Sequence, residues 1–331
     1  MNNVPVSVVI TSYNHEEFIG EAIESVLRQS AKPAEIIVVD DGSSDSSPEI
    51  IKSFGGHIIS LLNRVNKGGP ANQNEGMRLA SQPLIAVLNS DDAWKPSKIE
   101  RQIEFMETRK LDASFTTVEI MDHDSNKLKS PPGYFKLFGQ TKPDFDDFLP
   151  HFFYKGNFLC HSSVLATRAL YERTGFYDNR FRQLPDFNMW IKFAKNATIG
   201  VLDEDLVRYR YLGERNTSNA HSDDVLLRTR FEHLMTFMSF FDGMHEEEIR
   251  DRFKSVPGID KLWQEKSDLS IGNRLLLSHP EFSLQKPAAV AGLIKSWAES
   301  GAEVPNHEIH NFAATLDIFS LRGLTNTAID R

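Results

Sequence analysis

Short unbroken apolar runs alternate along the first hundred residues with segments whose apolar positions recur at helical spacing. Val6 to Ile10 is the first run, and after Thr11-Ser12-Tyr13-Asn14 the apolar residues fall at Phe18, Ile19, Ala22, Ile23, Val26 and Leu27. This predicts a strand and then a helix, with Asn14 as cap and Glu17 completing a capping box. Glu35 to Val39 repeats the unit, ending in Asp40-Asp41-Gly42-Ser43-Ser44-Asp45 before Ser47-Pro48 opens a second helix with proline in its first turn. A third strand is expected over His57 to Leu62, and a helix from Gly68-Gly69-Pro70 through Ala80. A fourth strand is expected over Leu84 to Leu88, and then a helix capped by Ser97 with Glu100. Continuous apolar strands between helices predict a mostly parallel sheet covered on both faces, with ligands beyond the carboxyl ends of the strands.

From Ala113 the pattern loosens into mixed strands, a loop rich in proline and aromatic residues from Ser130 to Pro150, and a short helix around Asp186 to Ala194. After about Asp223 no strand pattern remains. Leu226, Leu227, Phe231, Leu234, Met235, Met238 and Phe241 form an apolar helical stripe, and further helical stretches run to the end. Two units follow, residues 1–222 and a helical appendage over 223–331. The stripe, with Arg228 and Arg230 beside it, offers a face to the first unit, to a second copy in a homo-oligomer, or to an anionic membrane.

Composition narrows the function. With 331 residues, 40% hydrophobic and 25% charged, the chain reads as an ordinary soluble protein. The net charge of −9 repels a phosphate backbone, so nucleic acid is not an expected partner. The lone cysteine, Cys160, excludes an internal disulfide and a multi-thiolate zinc site. No stretch reaches the roughly 18 apolar residues of a membrane span, and the first apolar run lacks the basic flank of a signal peptide. A cytoplasmic protein is expected, working there or at the inner face of the membrane.

The candidate chemistry lies in two acidic pairs, Asp40-Asp41 and Asp91-Asp92, each following a strand. Adjacent carboxylates 4 Å apart repel by about 4 kcal/mol at an effective dielectric near 20. Hydrogen-bond donors or a divalent cation must offset that. Oxygen ligands without nitrogen or sulfur suit Mg²⁺ or Mn²⁺ bridged to a diphosphate. A plain turn accounts equally well for Asp40-Asp41-Gly42-Ser43 alone, but less well for Asp91-Asp92, which directly follows a buried strand.

These segments together resemble the inverting family 2 glycosyltransferases of the GT-A fold. Val8-Val9-Ile10-Thr11-Ser12-Tyr13-Asn14 is similar to that family's first strand and nucleotide loop, and Val38-Val39-Asp40-Asp41-Gly42-Ser43 to its second. Asn66 to Gly76 resembles its glycine-rich segment before a helix, and Leu88-Asn89-Ser90-Asp91-Asp92 its metal-binding motif. Four segments in order, over about the first 220 residues, are more specific than any one. The resemblance implies a mixed, mostly parallel Rossmann-like sheet with helices on both faces. It also implies a nucleotide-diphosphate sugar donor, with uracil as the expected base, and transfer to a hydroxyl of a glycan or lipid-linked acceptor in bacterial cell-surface polysaccharide synthesis.

Carried over by position, Thr11, Tyr13 and Asp41 contact the nucleobase, Asp91 the ribose, and Asp92 a Mn²⁺ or Mg²⁺ ion. Leu184 to Trp190 resembles the segment bearing the general base, which makes Asp186 the catalytic candidate. Val207 to Arg210, continuing through Asn216 and Ser218, resembles a segment that closes over the donor diphosphate, with Arg210 as phosphate contact. His161, Trp94 and Trp190 are candidates for acceptor or donor sugar, against the simpler role of core residues. The chain departs from the family at Gln73, where arginine is usual, and at Pro185, where glutamate is usual. The missing cation passes the diphosphate to Arg64, Lys67 or Arg210, while proline can open the helix that carries Asp186. These departures keep a second reading in view, a nucleotide-sugar-binding module of this fold that has lost turnover. A dinucleotide oxidoreductase is disfavoured, since no Gly-X-Gly-X-X-Gly turn follows the first strand.

Overall fold

The computed structural model describes residues 3–131, 138, 147–213, 223–256, 259–264, 272, 274 and 275. The segment with Asn216 and Ser218, most of the loop between Ser130 and Pro150, and the helical stretches after residue 275 lie outside the described residues. The chain divides into two compact units, Met1–Ser222 and Asp223–Arg331.

In the first unit, β1 (Val4–Ser12), α1 (Ile19–Leu27), β2 (Pro33–Asp40), α2 (Ser47–Ser53), β3 (Ile59–Leu62), α3 (Gly69–Leu79) and β4 (Leu84–Asn89) follow one another as the alternating pattern predicts. Next come β5 (Ala93–Trp94), α4 (Lys98–Arg109), β6 (Ala113–Met121), α5 (Phe148–Lys155), β7 (Leu165–Thr167), α6 (Arg168–Thr174), α7 (Pro185–Asn196) and β8 (Ile199–Arg210). The strands form one sheet in the order β3-β2-β1-β4-β7-β6-β8-β5. β3, β2, β1 and β4 run parallel, β7 is antiparallel to β4 and β6, β8 is parallel to β6, and β5 closes the edge antiparallel to β8.

The parallel half is apolar on both faces because helices cover both. Val6, Val8, Ile10, Ile36, Val38 and Ile51 pack with Ile19, Ala22, Ile23 and Val26 of α1 in one cluster. On the other face α3 approaches so closely that a Cβ at Gly76 would lie 2.5 Å from Val9 Cγ1 and 3.0 Å from Val39 Cγ2. Only glycine fits there without shifting strand or helix.

The register sets Ser12 beside Asp40 and Thr11 beside Asn89, so β1, β2 and β4 end at one edge. The order turns back between β1 and β4, the switch point at which open α/β sheets bind ligands. Two expected caps are corrected. Asn14 adopts a left-handed conformation (φ 50°) and accepts from the Ser44 N–H at 2.8 Å, and α1 begins only at Ile19, without a side-chain cap. Ser97 precedes α4 without capping it, and Glu100 accepts from the Ser30 hydroxyl instead.

In the second unit, α8 (Asp223–Met238), α9 (Glu246–Phe253) and α10 (Ile259–Gln264) are helices, and no strand occurs among the described residues. Along α8 the stripe residues Leu226, Leu227, Phe231 and Met238 are exposed, while Glu232, Thr236 and Phe237 are buried. Leu234, Met235 and Phe241 are half-buried, so the stripe is only partly covered. No described helix is long and apolar enough to cross a membrane.

Candidate active site

Three loops meet at the common edge of β1, β2 and β4. Asp40 accepts from the Ser43 N–H at 2.9 Å and its hydroxyl at 2.6 Å. Asp41 accepts from the N–H groups of Lys67 at 2.8 Å and Gly68 at 2.9 Å, which pins the loop before α3 to the end of β2. Gly42 between them is left-handed (φ 74°), and a Cβ there would meet Val65 and Asn66 backbone at 3.0 Å. Thr11 donates to Gln73 Oε1 at 3.4 Å, leaving the buried Gln73 Nε2 without a hydrogen-bond partner. Tyr13 is 47% exposed at the mouth of this edge, and Lys67 Nζ reaches Asn63 at 3.1 Å and Glu75 at 2.5 Å.

The loop after β1 joins the two acidic turns. The Asn14 N–H donates to Ser43 Oγ at 2.8 Å, the His15 N–H donates to Ser47 Oγ at 3.1 Å, and His15 Nδ1 lies 2.7 Å from Ser90 Oγ. His15 lies outside the motifs read from the sequence, and its contact with Ser90 is legible only once the strands are aligned.

The two carboxylates of the second turn differ in their surroundings. Asp92 is buried and accepts from Ser162 Oγ at 2.5 Å and the Arg210 N–H at 2.9 Å. Burial and the neighbouring Asp91 push its carboxyl well above the ordinary value, against the pull of Ser162 and Arg210. Asp91 is partly exposed, and among the described residues its carboxylate draws only on its own backbone N–H. Its low-dielectric surroundings raise its carboxyl, while His15 and Arg210 attract the charge.

On the far side of β4 a short turn, His161–Ser163, leads into β7. His161 Nδ1 lies 2.9 Å from Asn89 Oδ1 and Nε2 lies 3.0 Å from the Tyr177 hydroxyl. The amide oxygen only accepts, so Nδ1 carries the hydrogen and Nε2 accepts from the tyrosine. Burial lowers the His161 pKa to about 4, which keeps the ring neutral near pH 7. The His161 ring lies 6.1 Å from that of Trp190 on α7, one helical turn beyond Asp186. Pro185 stands in the first turn of α7 as expected, and Asp186 accepts from Asn157 Nδ2 at 3.0 Å and the Phe187 N–H at 2.7 Å. Asp186 also acts electrostatically on Cys160 and Tyr177, the neighbours of His161.

Three expected contacts are corrected by packing. Trp190 is fully buried, its ring 4.7 Å from Phe115. Trp94 is buried, donates to the Ser162 carbonyl at 2.8 Å and carries Lys98 Nζ 3.9 Å from its ring centre. Neither indole can stack on a sugar. Arg210 is 1% exposed and its guanidinium is engaged by Glu21, Ser125 and the carbonyls of Asp91, Asp122 and His123, so it does not reach a phosphate.

Among the described residues no three metal-binding side chains gather at one point. Asp91 is a hard oxygen donor with no hydrogen bond from another described residue, of the kind that would suit Mg²⁺ or Mn²⁺.

The profile of glycosyl transferase family 2 matches residues 7–168. A glucosyltransferase of Escherichia coli, named UDP-Glc:alpha-D-GlcNAc-diphosphoundecaprenol beta-1,3-glucosyltransferase WfaP, is 39% identical over 67% of this chain and 83% of its own length. The chain belongs to the family 2 glycosyltransferases. An uncharacterised glycosyltransferase of Methanocaldococcus jannaschii is 30% identical over 63% of this chain and 72% of its own. Bacillus subtilis TuaG, a putative teichuronic acid biosynthesis glycosyltransferase, is 30% identical over 65% and 82%. Some relatives are much longer, and the chain spans 35% of one from Rickettsia felis. Among solved structures, S. aureus TarS in complex with UDP-GlcNAc matches 87% of this chain and 83% of its own at TM-score 0.58 and 17% identity. The Pyrobaculum calidifontis mannosyltransferase PcManGT, with GDP-Man and Mn²⁺, covers 97% and 82% at TM-score 0.54 and 14% identity. The first unit of this family 2 glycosyltransferase has the GT-A fold.

Proposed function

We propose that this glycosyltransferase transfers a sugar from a UDP-activated donor, with inversion, to a hydroxyl of a glycan or lipid-linked acceptor in cell-surface polysaccharide synthesis. The observation that carries this is the single edge where the Asp41 loop, the Asp91 turn and the His161–Trp190–Asp186 side follow one another through direct contacts. The orphaned Gln73 amide, buried beside Thr11, supports a ligand there, since buried donors are rarely left unpaired. A UDP-sugar is favoured by the relative named for UDP-Glc and by the TarS complex with UDP-GlcNAc, and a lipid-linked acceptor would place the work at the inner face of the membrane.

Thr11, Tyr13 and Asp41 hold the nucleobase end, with Lys67 beside them for the diphosphate. Asp91 takes the metal-ligand role that the sequence gives to Asp92, because the Asp92 oxygens are engaged by Ser162 and Arg210. A bound Mn²⁺ or Mg²⁺ supplies positive charge against the departing diphosphate. Asp186, on the first turn of α7, accepts the proton of the attacking hydroxyl, and neutral His161 holds Asn89 and faces the sugar without adding charge. One displacement needs no second carboxylate nucleophile.

Release of UDP from a panel of UDP- and GDP-sugars, with Mn²⁺ and with EDTA, tests the donor. Asp186→Asn should lower transfer by about 10²- to 10⁴-fold while UDP binding persists. Transfer surviving that change would place the base elsewhere. The second reading, a binding module without turnover, draws on Gln73 and Pro185, and nucleotide-sugar binding with no transfer to any acceptor would favour it.

A further inference from the structure

Arg210 ends β8, and the pairing of Ala93 with Arg208 sets it opposite the Asp91–Asp92 turn. Two bonds join them, both donated by Arg210. The Arg210 N–H donates to Asp92 Oδ1 at 2.9 Å, and Arg210 Nε donates to the Asp91 carbonyl at 2.8 Å. Nη1 donates to the carbonyls of Asp122 at 3.0 Å and His123 at 2.7 Å, both Nη atoms reach Ser125 Oγ at 3.0 Å, and Nη2 pairs with Glu21 of α1. The guanidinium carbon lies 4.6 Å from the centre of the Phe18 ring.

Burying a charge costs several kcal/mol before its partners return any of it. The end of a strand does not require that. What the arrangement secures is the orientation of one peptide: the Asp91 carbonyl is fixed by Nε, and the neighbouring Asp92 carboxylate by the backbone of the same arginine. The Asp91 side chain has no anchor of its own on another residue, so its direction is inherited from this peptide. A planar guanidinium can satisfy five separate acceptors at once, and an ammonium cannot.

We infer that Arg210 is a positioning residue, holding the Asp91–Asp92 turn so that the Asp91 carboxylate faces a divalent cation. This rests on the reading of Asp91 as metal ligand. The test measures Mn²⁺ binding in the presence of UDP by the loss of the free Mn²⁺ resonance signal, and UDP binding in EDTA by calorimetry, in the full chain. Arg210→Met should raise the Mn²⁺ half-saturation about 10- to 100-fold, in the range for partners that orient metal ligands, with metal-free UDP affinity within about threefold of the starting protein. Arg210→Lys should fall between the two. Thermal melting reports folding, and if Arg210→Met does not fold, Glu21→Gln carries the test with a smaller rise of about threefold. Unchanged Mn²⁺ binding in a folded variant overturns the inference. So does a parallel loss of metal-free UDP binding, which would make Arg210 a general support of the fold. If the unaltered protein shows no UDP-dependent Mn²⁺ binding, the Asp91 reading fails first and this inference with it.

Discussion

The two acidic turns of the first unit carry the same pair of residues at the ends of β2 and β4, the parallel strands on either side of β1, yet they differ in how their charges are compensated. At Asp40-Asp41 each carboxylate has two donors, one set from Ser43 and the other from the backbone before α3. At Asp91-Asp92 the donors from other residues go to Asp92, and its neighbour, which draws only on its own backbone N–H, is left raised and partly exposed. The first turn is built as a self-sufficient loop. The second leaves one carboxylate without a donor from another described residue, and on the proposed reading that asymmetry separates a nucleotide-shaping role from a metal-binding one.

The sharpest way to break the comparison is Asp91→Asn, which should lower metal-dependent UDP release by about two to three orders of magnitude with little change in melting temperature. A loss of stability without loss of metal dependence would reverse the roles of the pair. Asp92→Ala should act the other way round, costing about 2–4 kcal/mol in denaturant unfolding because the Arg210 N–H and Ser162 hydroxyl lose their acceptor in a buried place.

Lys98 gives the smallest effect and a contrast of its own, a buried cation with no hydrogen-bond partner, set over Trp94. Burial holds its amine well below the usual lysine value. Between that lowered value and the ordinary one the unfolded chain binds more protons than the fold, so stability rises with pH across that window. Lys98→Met should raise stability by about 1–3 kcal/mol near neutral pH and remove this rise, as read from melting curves at several pH values.

The parallel half of the fold was legible because both faces of β1, β2 and β4 are covered, so each strand is an unbroken apolar run between polar turns. β5 and β7, two and three residues long, carry too little pattern to announce themselves. Turn chemistry misled at Asn14 and at Ser97 with Glu100, where the side chains of Asn14 and Glu100 accept from Ser44 and Ser30, distant in the chain, and Ser97 makes no cap. In the candidate site, residue type did not foretell that Trp94, Trp190 and Arg210 are buried. Whether a side chain faces the pocket or the core depends on register, as with Arg210 set against Asp91 by β5 pairing with β8, and no single segment encodes that.

The contact at Gly76 bears on how such a pocket can change. With Val9 and Val39 already against the helix backbone, α3 rests on a hard wall and cannot sink further, and lifting it would open a void beneath. The floor under Thr11 and Gln73 is thus a constant of the scaffold. If this edge holds the nucleobase as proposed, room for a bulkier one comes from the rim, from residues 13–15 and 63–68, where loops can lengthen or turn without disturbing the sheet.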